Sequence, residues 1–324
     1  MKAIVYDRYG SPDVLQYQEI EKPIPADDQV LIQVRASSAN PYDWHFIRGT
    51  PSFIRLFTGI RAPKSRRAGA DVAGVVEAAG RNVTSFKPGD PIFGTAVGSF
   101  AEYACAPASS VALKPESLTW EQAASLPMAG VTALQGLRDK GRIRAGQRVL
   151  VNGAAGGVGT FAVQIAKSYG ARVTGVCSTR NIELVRSIGA DDLVDYTRED
   201  FIHGDRRYDV FFDLVGNNRL SACLGVLEPG GTYIGCGGGA PDRRSIELLG
   251  SMLQAAVMAP FVTQKLPGLL AKVNTADLSF LADLIQAGKI APVLDRSYAL
   301  KETASAIRYL EQGHARGKVV ITVP

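Results

Sequence analysis

Three small residues at fixed spacing, Ala154, Gly156 and Gly159, carry the clearest chemical signal in the chain. They lie in Arg148-Val-Leu-Val-Asn-Gly-Ala-Ala-Gly-Gly-Val-Gly-Thr-Phe-Ala, which reads as a strand, a glycine turn and a helix. Such a turn presents free backbone N–H groups and the positive end of a helix to a pyrophosphate. The fingerprint G-x-G-x-x-G appears with Ala154 in its first place. The flanks support it. Val149, Leu150 and Val151 suit a buried parallel strand, and Val158, Phe161, Ala162, Ile165, Ala166 and Tyr169 fall on one helical face. Gly170 ends that helix and Arg172-Val-Thr-Gly-Val-Cys supplies a second strand. Residues Gly153, Ala154, Ala155, Gly156, Gly157, Val158 and Gly159 are therefore expected to hold a dinucleotide.

The end of the second strand bears on which dinucleotide. An NAD site places Asp or Glu there, ~20 residues past the glycines, to bind the ribose hydroxyls. Here Cys177 holds the place, followed by Ser178, Thr179 and Arg180. With no acid at that place, and with hydroxyls and a guanidinium beside it, the site favours the 2′-phosphate of NADP(H). Ser178 has a second reading as the cap of a helix over 181–188.

These residues need a scaffold, and the length of 324 residues suggests two domains. Residues 1 to about 120 are strand-rich, with Lys2-Ala-Ile-Val-Tyr, Gln29-Val-Leu-Ile-Gln-Val-Arg, Asp71-Val-Ala-Gly-Val-Val-Glu and Pro91-Ile-Phe, the pattern of a partly closed β-barrel. A helical stretch over 120–137 leads into alternating strands (149–152, 172–177, 193–196, 208–214, 231–236, 269–273) and helices, which means an α/β doubly wound parallel sheet. The last piece, with a helix over 276–287, a strand over 292–298, a helix over 301–312 and a strand over 318–323, is expected to return to the first domain. The boundaries drawn are 1–122, 123–275 and 276–324. Val215, Gly216, Cys236 and Gly237 then fall at the carboxyl edge of the sheet, where ligands bind in such folds.

Composition excludes several classes. The net charge of +5 comes from scattered basic residues without interleaved aromatics, so nucleic-acid binding is not expected. The four cysteines, Cys105, Cys177, Cys223 and Cys236, show no paired spacing and read as reduced thiols of a cytoplasmic protein. Met1 runs directly into a strand, with no targeting segment expected. The apolar run 246–262 is interrupted by Glu247, Gln254 and Pro260 and is too short to span a membrane.

Over nearly its whole length the chain resembles the medium-chain dehydrogenase/reductase superfamily, within it the zinc-independent quinone oxidoreductase branch. The matching segments are Ser38-Ala-Asn-Pro-Tyr-Asp-Trp, Gly69-Ala-Asp-Val-Ala-Gly-Val-Val, Lys87-Pro-Gly-Asp, Ala123-Ala-Ser-Leu-Pro and Gly189-Ala-Asp-Asp, with the glycine turn. Cys177-Ser and Gly159-Thr-Phe-Ala also resemble reticulon-interacting mitochondrial NADPH oxidoreductases. The resemblance implies a GroES-like barrel domain, a Rossmann NADP(H) domain and a homodimer joined along 269–273. It puts Asn40 and Thr132 by the nicotinamide, with the Asn40 amide holding the carboxamide or a developing oxyanion, and Tyr196 by the 2′-phosphate. His45 stands where relatives carry Tyr near the substrate, as a candidate proton donor. Tyr42, Asp43 and Trp44 on the same segment are candidate substrate-binding residues; Tyr42 and Trp44 also read as aromatic packing, and Asp43 as a structural residue or hydrogen-bond anchor. Phe53 and Phe57, in an apolar loop, could cover the substrate. Lys318 either approaches the cofactor from the first domain or is a solvated lysine.

The superfamily's catalytic zinc ligands would fall near Asn40, at Ala70 and near Thr132; none is Cys or His, and no Cys or His occurs over 30–44. Zinc needs three or four placed ligands. Without a Lewis acid, conjugated acceptors are the easier substrates, because the product charge is delocalised. The implied reaction is hydride transfer from NADPH to a quinone or an activated C=C bond. The alternatives are an enoyl reductase or dehydrogenase of specialised metabolism on the same fold, and a cofactor-binding protein that acts mainly through a partner.

Overall fold

The computed structural model describes residues 1–236, 254 and 257–324. Gly237 and most of the run 246–262 lie outside the described residues. The chain forms two compact units: residues 1–131, 272–287 and 292–324, and residues 132–271 with 288–291.

The first unit is built on antiparallel strands. A two-stranded ribbon pairs β1 (Lys2–Val5) with β2 (Gln16–Glu19). A seven-stranded sheet is centred on the long strand β3 (Gln29–Ala39) and continues through β4 (Asp71–Ala79), β5 (Pro91–Thr95) and β7 (Val111–Leu113), while β6 (Tyr103–Pro107) also pairs with β3. Ile32, Val34, Val72, Val76, Ile92 and Phe100 fill its core, as alternation along half-buried strands requires.

The second unit is a parallel sheet of β8 (Arg148–Asn152), β9 (Arg172–Cys177), β10 (Asp192–Asp195), β11 (Tyr208–Asp213) and β12 (Leu227–Gly235). Its order is β10-β9-β8-β11-β12, so the chain reverses direction across the sheet between β8 and β11. Ligands bind at the carboxyl edge of that point. Asn152, Cys177, Asp195 and Asp213 share this edge, since Asn152 is in register with Asp213 and Cys177 with Asp195.

The C-terminal segment returns to the first unit. Strand β13 (Leu294–Ala299) pairs with β14 (Lys318–Thr322), and β14 pairs antiparallel with β3.

Two expected elements differ. The helical stretch over 120–137 is two helices, Trp120–Ala124 and Pro127–Leu134. Pro127 lacks an N–H and biases Leu126 away from helical backbone, which breaks the run. A wider turn follows, closed by Gly141 N–H on Gly136 O at 2.8 Å. The expected strand over 269–273 is not formed. Only Lys265, upstream, bridges Thr232, while Pro267 removes a ladder donor and Leu270 is 94% exposed. The edge on which the expected dimer rested is thus irregular chain. Among the described residues no helix is long and apolar enough to cross a membrane.

Candidate active site

Strand register assembles a charged cluster in the first unit. Near the end of β3, Ser38 faces Asp71 of β4 on one side and Val320 of β14 on the other. The residues that begin the two neighbouring strands, Asp71 and Lys318, therefore flank Asn40. All three are buried, at 0%, 3% and 4% exposure. Lys318 Nζ donates to Asn40 Oδ1 and lies 3.4 Å from Asp71 Oδ2. Asn40 Nδ2 donates to Asp71 Oδ2 at 2.9 Å and to the Ser38 carbonyl at 3.2 Å. Ser38 Oγ and the Met128 N–H complete the Asp71 carboxylate, at 2.7 and 3.0 Å. Burial pushes the Lys318 ammonium below the usual lysine range, against the pull of Asp71. The solvated reading of Lys318 is thereby overturned: the cation is internal, because Asp71 supplies the charge that makes its burial tolerable.

The network also restricts Asn40. Both amide protons are taken by Asp71 and Ser38, so the side chain cannot donate to an oxyanion as expected. It retains an acceptor lone pair on Oδ1. Asn40 precedes the helix Pro41–Arg48, with Pro41 at its first position. Asp43, three residues on, accepts the Asn40 N–H at 2.7 Å. Its second oxygen, Oδ1, is buried without a partner. Burial, with Asp71 nearby, pushes Asp43 up to about 8, opposed by the Asn40 N–H. Asp43 is thus the anchor of the helix start, 2% exposed.

On that helix, Trp44 is buried, Tyr42 is 41% exposed and stacks with Phe46 at 4.1 Å, and His45 is half-buried against Trp44. His45 Nδ1 lies 2.7 Å from the Thr50 carbonyl. A carbonyl only accepts, so Nδ1 carries the proton and Nε2 presents a lone pair. Burial lowers the His45 pKa. In its neutral form His45 is therefore an acceptor at Nε2, and burial disfavours the imidazolium that a proton donor needs. In the following loop Phe53 is half-buried and Phe57 is 76% exposed.

In the second unit the glycine turn follows β8 as expected. Gly153 has φ +84°, a backbone that L side chains rarely adopt. A Cβ on Gly159 would lie 2.1 Å from Gly153 O, so the turn and the helix Gly157–Ser168 pack at backbone distance. Gly156 precedes that helix, and no side chain caps it. The first-turn N–H groups of Gly157, Val158 and Gly159 have no preceding helical carbonyl to meet. Ala154 and Ala155 are buried beneath them.

At the switch point Asp213 is fully buried. Its Oδ1 accepts from Asn152 Nδ2 at 2.9 Å and from the N–H groups of Val215 and Gly216 at 3.1 and 2.9 Å; Oδ2 accepts from the Tyr233 hydroxyl at 2.9 Å. Asp213 carbonyl oxygen accepts the Cys236 N–H at 2.8 Å. Val215 and Gly216 are thus held on the buried Asp213 carboxylate and Cys236 on the Asp213 carbonyl, a residue that sequence reasoning missed. The signal available was an acid closing the apolar strand Val210-Phe-Phe-Asp. The thiols of Cys177 and Cys236 are pushed up to about 11 by burial, which makes them poor nucleophiles at neutral pH.

At the end of β9, Ser178 makes no side-chain cap, so its capping role is not seen; its Oγ accepts from Asn181 Nδ2 at 3.2 Å. The absence of an acid at Cys177 does not leave the neighbourhood without one. Asp195 ends β10 in register with Cys177. Its carboxylate is taken by the Thr179 hydroxyl and by the N–H and hydroxyl of Thr197, at 3.0 and 2.7 Å. Those bonds, Thr179 first, hold its carboxyl below the usual range. Arg198 lies 3.7 Å from Asp195 Oδ2; Arg180 is exposed and Tyr196 is 57% exposed. Thr132 is half-buried on the helix Pro127–Leu134.

Comparison with known proteins agrees with this architecture. Residues 26–116 match the alcohol dehydrogenase GroES-like domain and residues 188–321 match the zinc-binding dehydrogenase family. The chain is 35% identical to the mitochondrial NAD(P)H oxidoreductase RTN4IP1 of Bos taurus, over 100% of this chain and 89% of that protein. It is 36% identical to the chloroplastic NADPH-dependent alkenal/one oxidoreductase of Arabidopsis thaliana, over 99% and 79%. The quinone oxidoreductase structure from Coxiella burnetii superposes with a TM-score of 0.85 at 32% identity, covering 100% and 99% of the two chains.

The name of the second matching family raises zinc, and the residues present do not fit it. Asn40 is an amide engaged on three sides, Ala70 has no ligand atom, and the Lys318 ammonium already compensates Asp71. Among the described residues no three His, Cys, Asp or Glu side chains are grouped to hold a metal ion. A GroES-like sheet, a doubly wound sheet and relatives matched along the full length place this chain in the medium-chain dehydrogenase/reductase superfamily, in its quinone oxidoreductase branch.

Proposed function

We propose that the chain is a zinc-independent oxidoreductase that reduces a quinone or an α,β-unsaturated carbonyl with NADPH. The observation that carries this reading is the uncapped helix start after β8, where Gly159 lets the Gly153 carbonyl approach within backbone distance. A diphosphate fits that start. The names of the relatives, NAD(P)H and alkenal/one oxidoreductases, support the same reading.

When bound, NADPH supplies the hydride. The N–H groups of Gly157, Val158 and Gly159, with Gly153, Ala154, Ala155 and Gly156 shaping the turn, would hold its diphosphate. Ser178, Arg180 and Tyr196 would take the 2′-phosphate, with the Asp195 carboxylate already occupied by the Thr179 hydroxyl. Thr132, Val215, Gly216 and Cys236 would line the remainder of the cofactor. In the first unit Lys318 and Asp71 fix Asn40 as an acceptor, while Tyr42 and Phe53 offer aromatic surface to the acceptor molecule. Neutral His45 offers Nε2 as an acceptor, so the proton that completes the two-electron reduction enters from water. We also propose a homodimer, with the exposed chain around Leu270 available to a second copy; sedimentation at one protomer mass would refute it.

The function is tested by titrating the protein with NADPH and NADH by fluorescence, then following NADPH oxidation by quinones, enals and enones with and without chelator. Tighter NADPH binding and chelator-resistant turnover are expected. Equal binding of NADH, or activity lost on chelation, would overturn the reading.

A further inference from the structure

Between Asp43 and Asp71 the chain holds six cations, Arg48, Arg55, Arg61, Lys64, Arg66 and Arg67, and no acid. The whole chain has 36 Lys and Arg against 31 Asp and Glu, so setting these six aside leaves 30 against 31. The span alone carries a charge of +6, against +5 for the whole chain. Two of the six are engaged: Arg48 pairs with Glu311, and Arg55 binds the Gly49 and Arg48 carbonyls over the Tyr9 ring. Among the described residues no ion pair involves Arg61, Lys64, Arg66 or Arg67. The first three of these are exposed.

The same span carries Leu56, Phe57 and Ile60 at 67%, 76% and 70% exposure. They sit on a built loop. The Thr58 carbonyl accepts the Lys64 N–H at 2.7 Å, closing the turn that carries Ile60 and Arg61. Gly59 has φ +121°, and a Cβ there would lie 2.0 Å from Ala62 O. The Tyr9 hydroxyl anchors the base of the turn on Thr58 Oγ1 at 2.8 Å and on Gly59 O at 2.7 Å. Three large apolar side chains are thus held in water beside cations that have no counter-charge.

We propose that loop 55–66 docks the protein on an anionic lipid bilayer. Apolar tips with neighbouring Lys and Arg match the order of that surface: acyl chains beneath a plane of negative headgroups. Phe57, Leu56 and Ile60 enter the headgroup boundary, and Arg61, Lys64 and Arg66 stay at the phosphates. The attachment is peripheral and reversible. It rests on this loop alone and does not require the reductase reading.

The test is co-sedimentation of the full chain, without nucleotide, with vesicles of phosphatidylcholine alone or with phosphatidylserine added. Binding is expected only to the serine-containing vesicles, falling as salt rises. Each of Arg61→Ser, Lys64→Ser and Arg66→Ser is expected to weaken it by about fivefold, while turnover of a water-soluble acceptor stays at the wild-type rate. Phe57→Ser is expected to weaken binding at constant charge. No binding, equal binding to both vesicles, or charge variants that bind like wild type would overturn the proposal. A Phe57→Ser enzyme whose KM for a water-soluble acceptor rises, without vesicle binding by the wild type, would instead make the loop a cover for the substrate.

Discussion

Lys318 Nζ donates to Asn40 Oδ1 across 278 residues of sequence, and both side chains are buried. The contact decides which way the Asn40 amide points. An ammonium only donates, and the Asp71 carboxylate on the opposite side only accepts, so the oxygen faces Lys318 and the nitrogen faces Asp71. Asn40 is set as an acceptor by its neighbours before any ligand arrives.

Replacing Lys318 with Met keeps most of the side-chain volume and removes the cation. Asp71 is then buried without a compensating charge, which costs about 3–5 kcal/mol. Urea unfolding of Lys318→Met should show this loss. Lys318→Met combined with Asp71→Asn should recover part of it, because the uncompensated charge is gone. Equal stability of Lys318→Met and wild type would show that the pair carries no net load.

Asp43 should give the protein a pH-dependent stability of identifiable sign. Its carboxyl is raised from 3.8 to about 8, chiefly by burial. The native state therefore binds this proton more tightly than the unfolded chain. Its contribution is full below 3.8 and declines as pH rises toward 8. Asp43→Asn retains an oxygen for the Asn40 N–H and removes the titration. Thermal melts across this range should show the variant gaining on wild type as pH rises. A difference that stays constant with pH would show that Asp43 is ionised throughout.

His45 acts in the opposite direction. Burial lowers its pKa below 6.5, so its contribution is present above 6.5 and is lost as the pH falls through the folded-state value. His45→Gln, with an amide N–H for the Thr50 carbonyl, should flatten the acid side of the stability curve. At neutral pH its turnover should fall by less than the factor of about 100 that loss of a general acid brings. A larger fall, with the stability unchanged, would return His45 to the role of proton donor.

The parallel sheet was readable from sequence because its signals are local: apolar runs, a glycine turn and regular alternation. The charged cluster was not. Asn40, Asp71 and Lys318 come together only through the pairing of β3 with β4 and β14, and no short-range pattern encodes that register. Lys318 therefore read equally well as solvated. Asp195 was missed for a similar reason. It ends a different strand from Cys177, and only the pairing of β9 with β10 makes the two neighbours. The absent strand at 269–273 is the converse case, an apolar segment whose pattern suited a strand but which leaves the sheet edge after the single Lys265–Thr232 bridge.

Cofactor choice can be tested at the end of β9. Ser178→Asp would set a carboxylate beside Arg180 and against any 2′-phosphate. NADPH affinity should fall and NADH affinity should hold, as a ribose-binding acid requires. Arg180→Ala should weaken NADPH by about 10- to 100-fold, the worth of a charge-assisted hydrogen bond, and leave NADH unchanged. Parallel losses for both nucleotides would mean that Arg180 acts on the shared part of the cofactor or on the fold.

The backbone approach at the turn offers a test that separates binding from stability. A Cβ on Gly159 would lie 2.1 Å from Gly153 O and 2.8 Å from the Ala154 carbonyl carbon, both backbone atoms that cannot rotate away. Gly159→Ala must move the helix start from the turn, at a cost of about 1–3 kcal/mol. The displaced N–H groups are those proposed to hold the diphosphate, so NADPH and NADH should both weaken by at least about tenfold. Gly225→Ala is the control: a Cβ there meets nothing within 4 Å, and the residue lies in the helix Leu220–Gly225. That change should leave nucleotide affinity unaltered and shift stability by less than about 1 kcal/mol. Wild-type nucleotide affinity in Gly159→Ala would mean that the turn after β8 does not carry the cofactor.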